Sequence, residues 1–329
     1  MTKYKLSGIG NAVVDIISHA DDSFLDLMGI EKGIMQLIER DRGEKLYAAM
    51  SDRLQTPGGS VANTISGVGA LGLPTAFIGR VHDDALGQFY AKAMQESGTD
   101  FVNAPIPNGD LPTSRSMIFV TPDGERSMNT YLGISTELGP RDIPEKVATA
   151  SEMIFLEGYL FDKNQGKEAF RQASRMTRTA GGRAGIAISD PFCVNRHRND
   201  FIEMIKNDLD FVIGNEHEIK SLYETNDLEA AMSKTADMIK LMVCTRSGDG
   251  VTIMSNGERH DIPVNKITPV DATGAGDQFA AGFIYGMVTG RDLETCGKMG
   301  NLCAAEVISH IGPRPATDMR REFARARLE

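Results

Sequence analysis

Short, nearly unbroken apolar runs alternate along this chain with longer stretches in which apolar residues recur every three or four positions. The runs Tyr4–Ile9, Thr75–Ile78, Met153–Leu156, Gly185–Ile188, Asp210–Ile213, Leu241–Cys244 and Val251–Met254 read as strands buried on both faces. Ser60–Leu71, Leu86–Ser97, Lys163–Thr179, Glu216–Glu224 and Leu228–Lys240 read as the helices between them. This alternation predicts an α/β layer sandwich around a mostly parallel central sheet. Near the end two helical patterns, Gly274–Val288 and Leu293–His310, follow each other with little strand between. One segment breaks the rule. Arg115–Val120 and Arg126–Tyr131 flank Thr121-Pro122-Asp123-Gly124 and predict an antiparallel hairpin. Such a hairpin is either an edge decoration or part of a lid.

Charge narrows the partners. Thirty-five Lys and Arg residues against 45 Asp and Glu give a net charge of −10. A surface of that sign disfavours nucleic acid and anionic membrane, so an anionic substrate needs a local positive site. The four cysteines (Cys193, Cys244, Cys296, Cys303) form no C-x-x-C pair and read as reduced core thiols. No apolar run approaches the roughly 18 residues of a membrane helix, and Met1–Gly8 has no long apolar core. The expected location is therefore cytoplasmic.

Gly67-Val68-Gly69-Ala70-Leu71-Gly72 matches a G-x-G-x-x-G fingerprint, but it ends a helical pattern and precedes a strand. A dinucleotide loop needs the reverse order, so these glycines read as helix packing or a helix end. Asp271-Ala272-Thr273-Gly274-Ala275-Gly276-Asp277 is the strongest chemical segment. Small residues at a helix start let backbone N–H groups approach an anion, and Asp277 adds a carboxylate base in the first turn. The bland alternative is a simple helix cap. Pro57-Gly58-Gly59-Ser60-Val61-Ala62-Asn63 again puts two glycines before a helix, with bare backbone and an amide suited to a polyhydroxylated ligand. Gly10-Asn11-Ala12-Val13-Val14-Asp15 follows the first strand, where open α/β sheets bind ligands. Asn11 also suits a plain turn.

Together these segments resemble the ribokinase-like (PfkB) family of carbohydrate and nucleoside kinases, over essentially the whole chain. Asp271–Asp277 is similar to the second family signature, with Ala272 at a departing position. Gly58, Gly59 and Asn63 are similar to the first. Asn215-Glu216-His217-Glu218 resembles the N-x-x-E element. Thr245-Arg246-Ser247-Gly248-Asp249-Gly250 resembles the nucleotide-binding turn, and Asn301 the adenine-side polar residue. Within the family, Asn11…Asp15-Ile16, Phe24-Leu25-Asp26, Gln36, Asp41, Glu157-Gly158-Tyr159 and Pro191-Phe192 look most like adenosine kinases.

The resemblance implies a single kinase domain over 1–329, a three-layer sandwich with a small β-lid built from about 14–37 and 113–132. It implies ATP and a small-molecule acceptor, with transfer to the 5′-hydroxyl of adenosine or, in the alternative, to a ribose- or fructose-like sugar. Asp277 would be the base, Gly274, Ala275 and Gly276 the anion hole, and Arg126 a positive lid residue. The acceptor would touch Asn11, Asp15, Gly58, Gly59 and Asn63, with Gln36 and Tyr159 at the base. Tyr159 also fits an ordinary core aromatic. ATP would lie along Asn215, Thr245, Ser247, Gly248, Gly250 and Asn301, with Glu218 reaching Mg2+ through water. Asp271 and Thr273, with carbonyls from Ser309–Gly312, would hold K+. A monomer and a homodimer are both compatible with the sequence.

Overall fold

Every apolar run becomes a strand of one sheet. A computed structural model describes residues 3–329. Its strands in chain order are β1 (Tyr4–Ile9), β2 (Val13–His19), β3 (Met35–Leu37), β4 (Leu54–Gly58), β5 (Thr75–Ile78), β6 (Thr99–Phe101), β7 (Ser114–Val120) and β8 (Arg126–Tyr131). They continue as β9 (Ser151–Glu157), β10 (Arg183–Ala187), β11 (Phe211–Asn215), β12 (Leu241–Thr245), β13 (Val251–Ser255) and β14 (Glu258–Ile262). Nine strands form the main sheet, in the order β14-β13-β12-β11-β10-β9-β1-β5-β6. Pairing is parallel from β12 through β6 and antiparallel at β13 and β14. The two strands of this sheet that the apolar rule does not find, β6 and β14, are its edges. An edge strand faces solvent and carries polar residues, which erases the signal.

Helices cover both faces. Phe77, Phe155 and Phe211 belong to the core on one side, Ile154, Phe161 and Phe170 to the core on the other. This is the expected mostly parallel α/β sandwich. Three helices end sooner than their patterns suggest, at Ser221, Ala236 and Val307. The Pro191–Asn207 helix lies outside the sequence expectation. Its start is nevertheless conventional: Asp190 accepts from the backbone N–H of Phe192 and Cys193, and Pro191 occupies the first turn. No helix among the described residues is long and apolar enough to cross a membrane. All four cysteines are buried and free.

The hairpin is no edge decoration. β7 and β8 pair antiparallel, Arg115 opposite Tyr131 and Val120 opposite Arg126. They lie inside a second, five-stranded sheet, β3-β8-β7-β2-β4. β2 runs parallel to β7. The segments 14–37 and 113–132 supply most of this sheet, and β4 adds an edge outside both. Pro57 inside that strand obscures it in the sequence.

Two helices position the site. Ser60–Ala70 and Ala275–Val288 are largely buried, apolar around most of their circumference, and packed on each other. A methyl group on Gly67 would strike Gln278 and Ala281, so the glycine lets the two axes approach. Gly8 of β1 likewise leaves room for Val61 and Ile65. The Gly67–Gly72 motif is thus packing surface and helix end.

Candidate active site

Both glycine-led segments converge on one carboxylate. Gly59 (φ +98°) and Gly274 (φ +81°) precede the two packed helices in conformations that disfavour side chains. Asp277 lies in the first turn of the second helix, and its side chain makes no cap. Instead Ser60 Oγ donates to Asp277 Oδ1 at 2.7 Å and Asn63 Nδ2 to Oδ2 at 3.0 Å. Burial pushes the Asp277 carboxyl up to about 6, while the bonds from Asn63 and Ser60 and the charge of Arg314 pull the other way. The N–H groups of Gly274, Gly276 and Asp277 have no acceptor among the described residues. That of Ala275 turns onto the Ala272 carbonyl at 3.3 Å, so the free donors are shifted from the expected Gly274, Ala275 and Gly276.

A cleft of about 790 Å³ opens beside Asp277. It is lined by the expected Asn11, Asp15, Gly59, Asn63 and Tyr159. The Asp15 carboxylate accepts no side-chain hydrogen bond and faces this space. Burial pushes it up to about 7 against the pull of Arg126 and Arg314. The Tyr159 hydroxyl donates to the Ser189 carbonyl, 3.2 Å away. Gly58 and Gln36 are not brought to the cleft wall. Gly58 sits under the Asp15 carboxylate, and Gln36 Nε2 donates to Asn129 Oδ1 at 2.8 Å. The second sheet offers Ile34, Met35 and Leu37 instead, partly exposed, with the 72 % exposed Phe192 also on the wall.

Glu157 is a site residue that the sequence reading left unassigned. Its Oε1 accepts from Asn11 N and Nδ2 at 3.1 and 2.8 Å, and its Oε2 from Val61 N at 3.0 Å. Ser135 Oγ donates to Asn11 Oδ1 at 2.8 Å, so both ends of the Asn11 amide have a partner within the protein while its second Nδ2 hydrogen is left over beside the cleft. Burial pushes Glu157 up to about 7, against the backbone bonds it accepts. The signal was a carboxylate closing an apolar strand. Arg314, which donates from Nε to Asn63 Oδ1 at 3.3 Å, was also unassigned. It is a lone charge among Gly312, Pro313 and Pro315.

A smaller notch of about 110 Å³ lies on the other side of Asp277, lined by Ser60, Asn215, Glu218, Thr245 and Gly276. Asn215 caps its helix by accepting from the N–H groups of His217 and Glu218, and Glu218 returns the contact through both its oxygens. Burial pushes Glu218 up to about 7. Ser247, Gly248 and Gly250 form the turn after β12 and do not line the notch. Asn301 donates to the Pro263 carbonyl at 3.3 Å. Arg126 reaches across from β8 to Asp271 at 2.5 Å and to Thr273 Oγ1 at 3.3 Å. Its guanidinium therefore sits on the two side chains that the sequence resemblance gave to potassium. Burial raises the Asp271 carboxyl, but bonds from Gly312 and Thr273 and the charge of Arg126 hold it below its ordinary range.

The model of a family described as pfkB family carbohydrate kinase matches residues 27–319. Among solved structures, an adenosine kinase from Sinorhizobium meliloti superposes with a TM-score of 0.91 at 44% identity, covering 98% of this chain and 99% of that one. A probable sugar kinase from Rhizobium etli superposes with a TM-score of 0.92 at 42% identity over 100% of both chains. An uncharacterized sugar kinase of Archaeoglobus fulgidus is 29% identical over 252 residues, 75% of this chain and 96% of that protein.

Proposed function

Because the chain belongs to the pfkB family of carbohydrate kinases, we propose that it transfers the γ-phosphoryl group of ATP to the 5′-hydroxyl of adenosine, giving AMP and ADP. The observation that carries this reading is the place of Asp277. It borders both the large cleft and the small notch, beside free N–H groups at a helix start. An acceptor hydroxyl in the cleft loses its proton to Asp277 as its oxygen bonds to phosphorus. The bond from phosphorus to the ADP oxygen breaks on the notch side. The N–H groups of Gly274, Gly276 and Asp277 meet the charge on the transferring group.

The cleft suits a nucleoside. Asp15 faces it with unused acceptor oxygens for a sugar diol. Ile34, Met35, Leu37, Tyr159 and Phe192 give a flat apolar base its surface. ATP runs from the notch along Asn215 and Thr245 to Ser247, Gly248, Gly250 and Asn301. Magnesium neutralises phosphate charge in such transfers. Glu218 lines the notch with both oxygens already engaged by Asn215, which suits contact through water rather than direct ligation. Arg126 supplies positive charge beside the Asp271 loop, and a potassium ion there requires that side chain to move away.

The second reading is a sugar kinase of the same family, favoured by the names of the Rhizobium etli and Archaeoglobus fulgidus relatives. Competitive turnover of adenosine, inosine, ribose and fructose with ATP and magnesium decides. Base stacking is worth roughly 1–3 kcal/mol, so adenosine should exceed ribose in kcat/KM by at least about tenfold. Equal or faster turnover of ribose or fructose gives the site to the sugar reading.

A further inference from the structure

Asp277 accepts from Asn63, and an amide can present either its oxygen or its nitrogen to a neighbour. The chemistry of the pair demands nitrogen, because an amide oxygen facing a carboxylate repels it. What selects that orientation lies behind the amide. Arg314 Nε donates to Asn63 Oδ1 at 3.3 Å, and Asn63 Nδ2 donates to Asp277 Oδ2 at 3.0 Å. A guanidinium has only donors, so it accepts one orientation of the amide and rejects the other.

The loop bearing Arg314 is itself fixed. Gln278 Nε2 donates to the Pro313 carbonyl at 3.0 Å and to the Asn63 carbonyl at 3.1 Å, tying the loop to both packed helices. Arg314 has no carboxylate within salt-bridge distance among the described residues. Its hydrogen-bond partners are the Asn63 amide and the Met94 sulfur, and the Tyr90 phenol of the Ala85–Glu96 helix, Asp15 and Asp277 are the titratable groups that act on its charge.

We infer that Arg314 is a positioning residue: through the Asn63 amide it sets which edge meets Asp277, and its unpaired charge backs the carboxylates of the cleft. This rests on reading Asp277 as the proton acceptor. The charged surroundings make it consequential. Asp15 on β2, Glu157 on β9 and Glu218 at the start of the Glu216–Ser221 helix are the acidic groups around Asp277. Arg126 on β8 and Arg314 both act on Asp15, and Arg314 is the cation that acts on Asp277 itself.

The test is the pH profile of kcat/KM for the acceptor in wild type, Arg314→Met, Arg314→Lys and Asp277→Asn. In Arg314→Met the acid limb should move up by about one pH unit, and the plateau kcat should fall roughly tenfold with a smaller change in KM. Arg314→Lys should return the limb toward wild type, because it restores the charge. A folded Arg314→Met with the wild-type limb overturns the inference, even if it is slower. Should that variant not fold, Arg314→Gln carries the same expectation and the same overturning result. If Asp277→Asn keeps wild-type turnover, the reading of the base itself fails. If Asp277→Asn is inactive while the limb is unmoved in the Arg314 variants, only the positioning role fails.

Discussion

Two helices of this protein start alike, and their first turns have opposite fates. Ser60–Ala70 and Ala275–Val288 each follow a glycine with positive φ and carry no side-chain cap. In the first, the buried Glu157 carboxyl accepts the Val61 N–H at 3.0 Å, so the protein supplies the acceptor from its own chain. In the second, the N–H groups of Gly276 and Asp277 meet no acceptor among the described residues. The first start is tied down at Val61 by the chain itself, whereas the second keeps its donors unpaired beside the notch. The difference follows from the neighbours, because β9 delivers Glu157 to one helix end and a notch faces the other.

The largest expected effect breaks the open start. Asp277→Asn keeps the shape but removes the proposed proton acceptor, and kcat should fall by roughly 10²–10⁴ with little change in substrate affinity. Near-wild-type turnover in a folded variant rules out that role. Adding a methyl sharpens the contrast. At Gly276 a Cβ meets nothing within 4 Å and the residue lines the notch. Gly276→Ala should therefore fold as well as wild type or gain about 0.5–1 kcal/mol. Its kcat/KM for ATP should drop by about tenfold or more, as expected for an intrusion into a positioned site. At Gly59 the φ of +98° and the Asn11 carbonyl leave no room. Gly59→Ala should cost on the order of 1–3 kcal/mol in thermal or denaturant unfolding. Equal stability of the two variants would dissolve the comparison.

The last test concerns the filled start. The Glu157 carboxyl is raised in the fold from its ordinary 4.5 to about 7. A raised carboxyl favours the protonated form in the folded state, so its contribution is greatest at acid pH and declines as pH rises from about 4.5 through about 7. The stability of wild type relative to Glu157→Gln should therefore shrink across that window, by on the order of 2 kcal/mol. Urea unfolding at pH 5 and pH 8 measures it. A difference that grows with pH would show that Glu157 is held as the anion.

The apolar runs that became the inner strands were legible because those strands are buried on both faces, and burial writes a continuous pattern into sequence. The edge strands β3, β4, β6 and β14 were not, since each leaves residues to solvent. The two glycine-led segments were legible as local grammar: a turn, a helix start and a carboxylate in the first turn. Their meeting was not, because Ser60 and Asn63 reach Asp277 from more than 200 residues away, through the packing of two helices. Gln36 shows the limit from the other side. Its position in the chain suited base recognition, but the register of β3 on β8 sets Gln36 opposite Asn129, where its amide finds a partner, while Met35 and Leu37 line the cleft. Sequence determined the layers, the helix starts and the carboxylate in the first turn of the second of them. Only the tertiary structure decided which helix end Glu157 fills, that Arg126 rests on Asp271, and that Arg314 stands behind Asn63. Those contacts depend on the relative placement of distant segments, which strand register and helix packing set and local residue pattern does not encode.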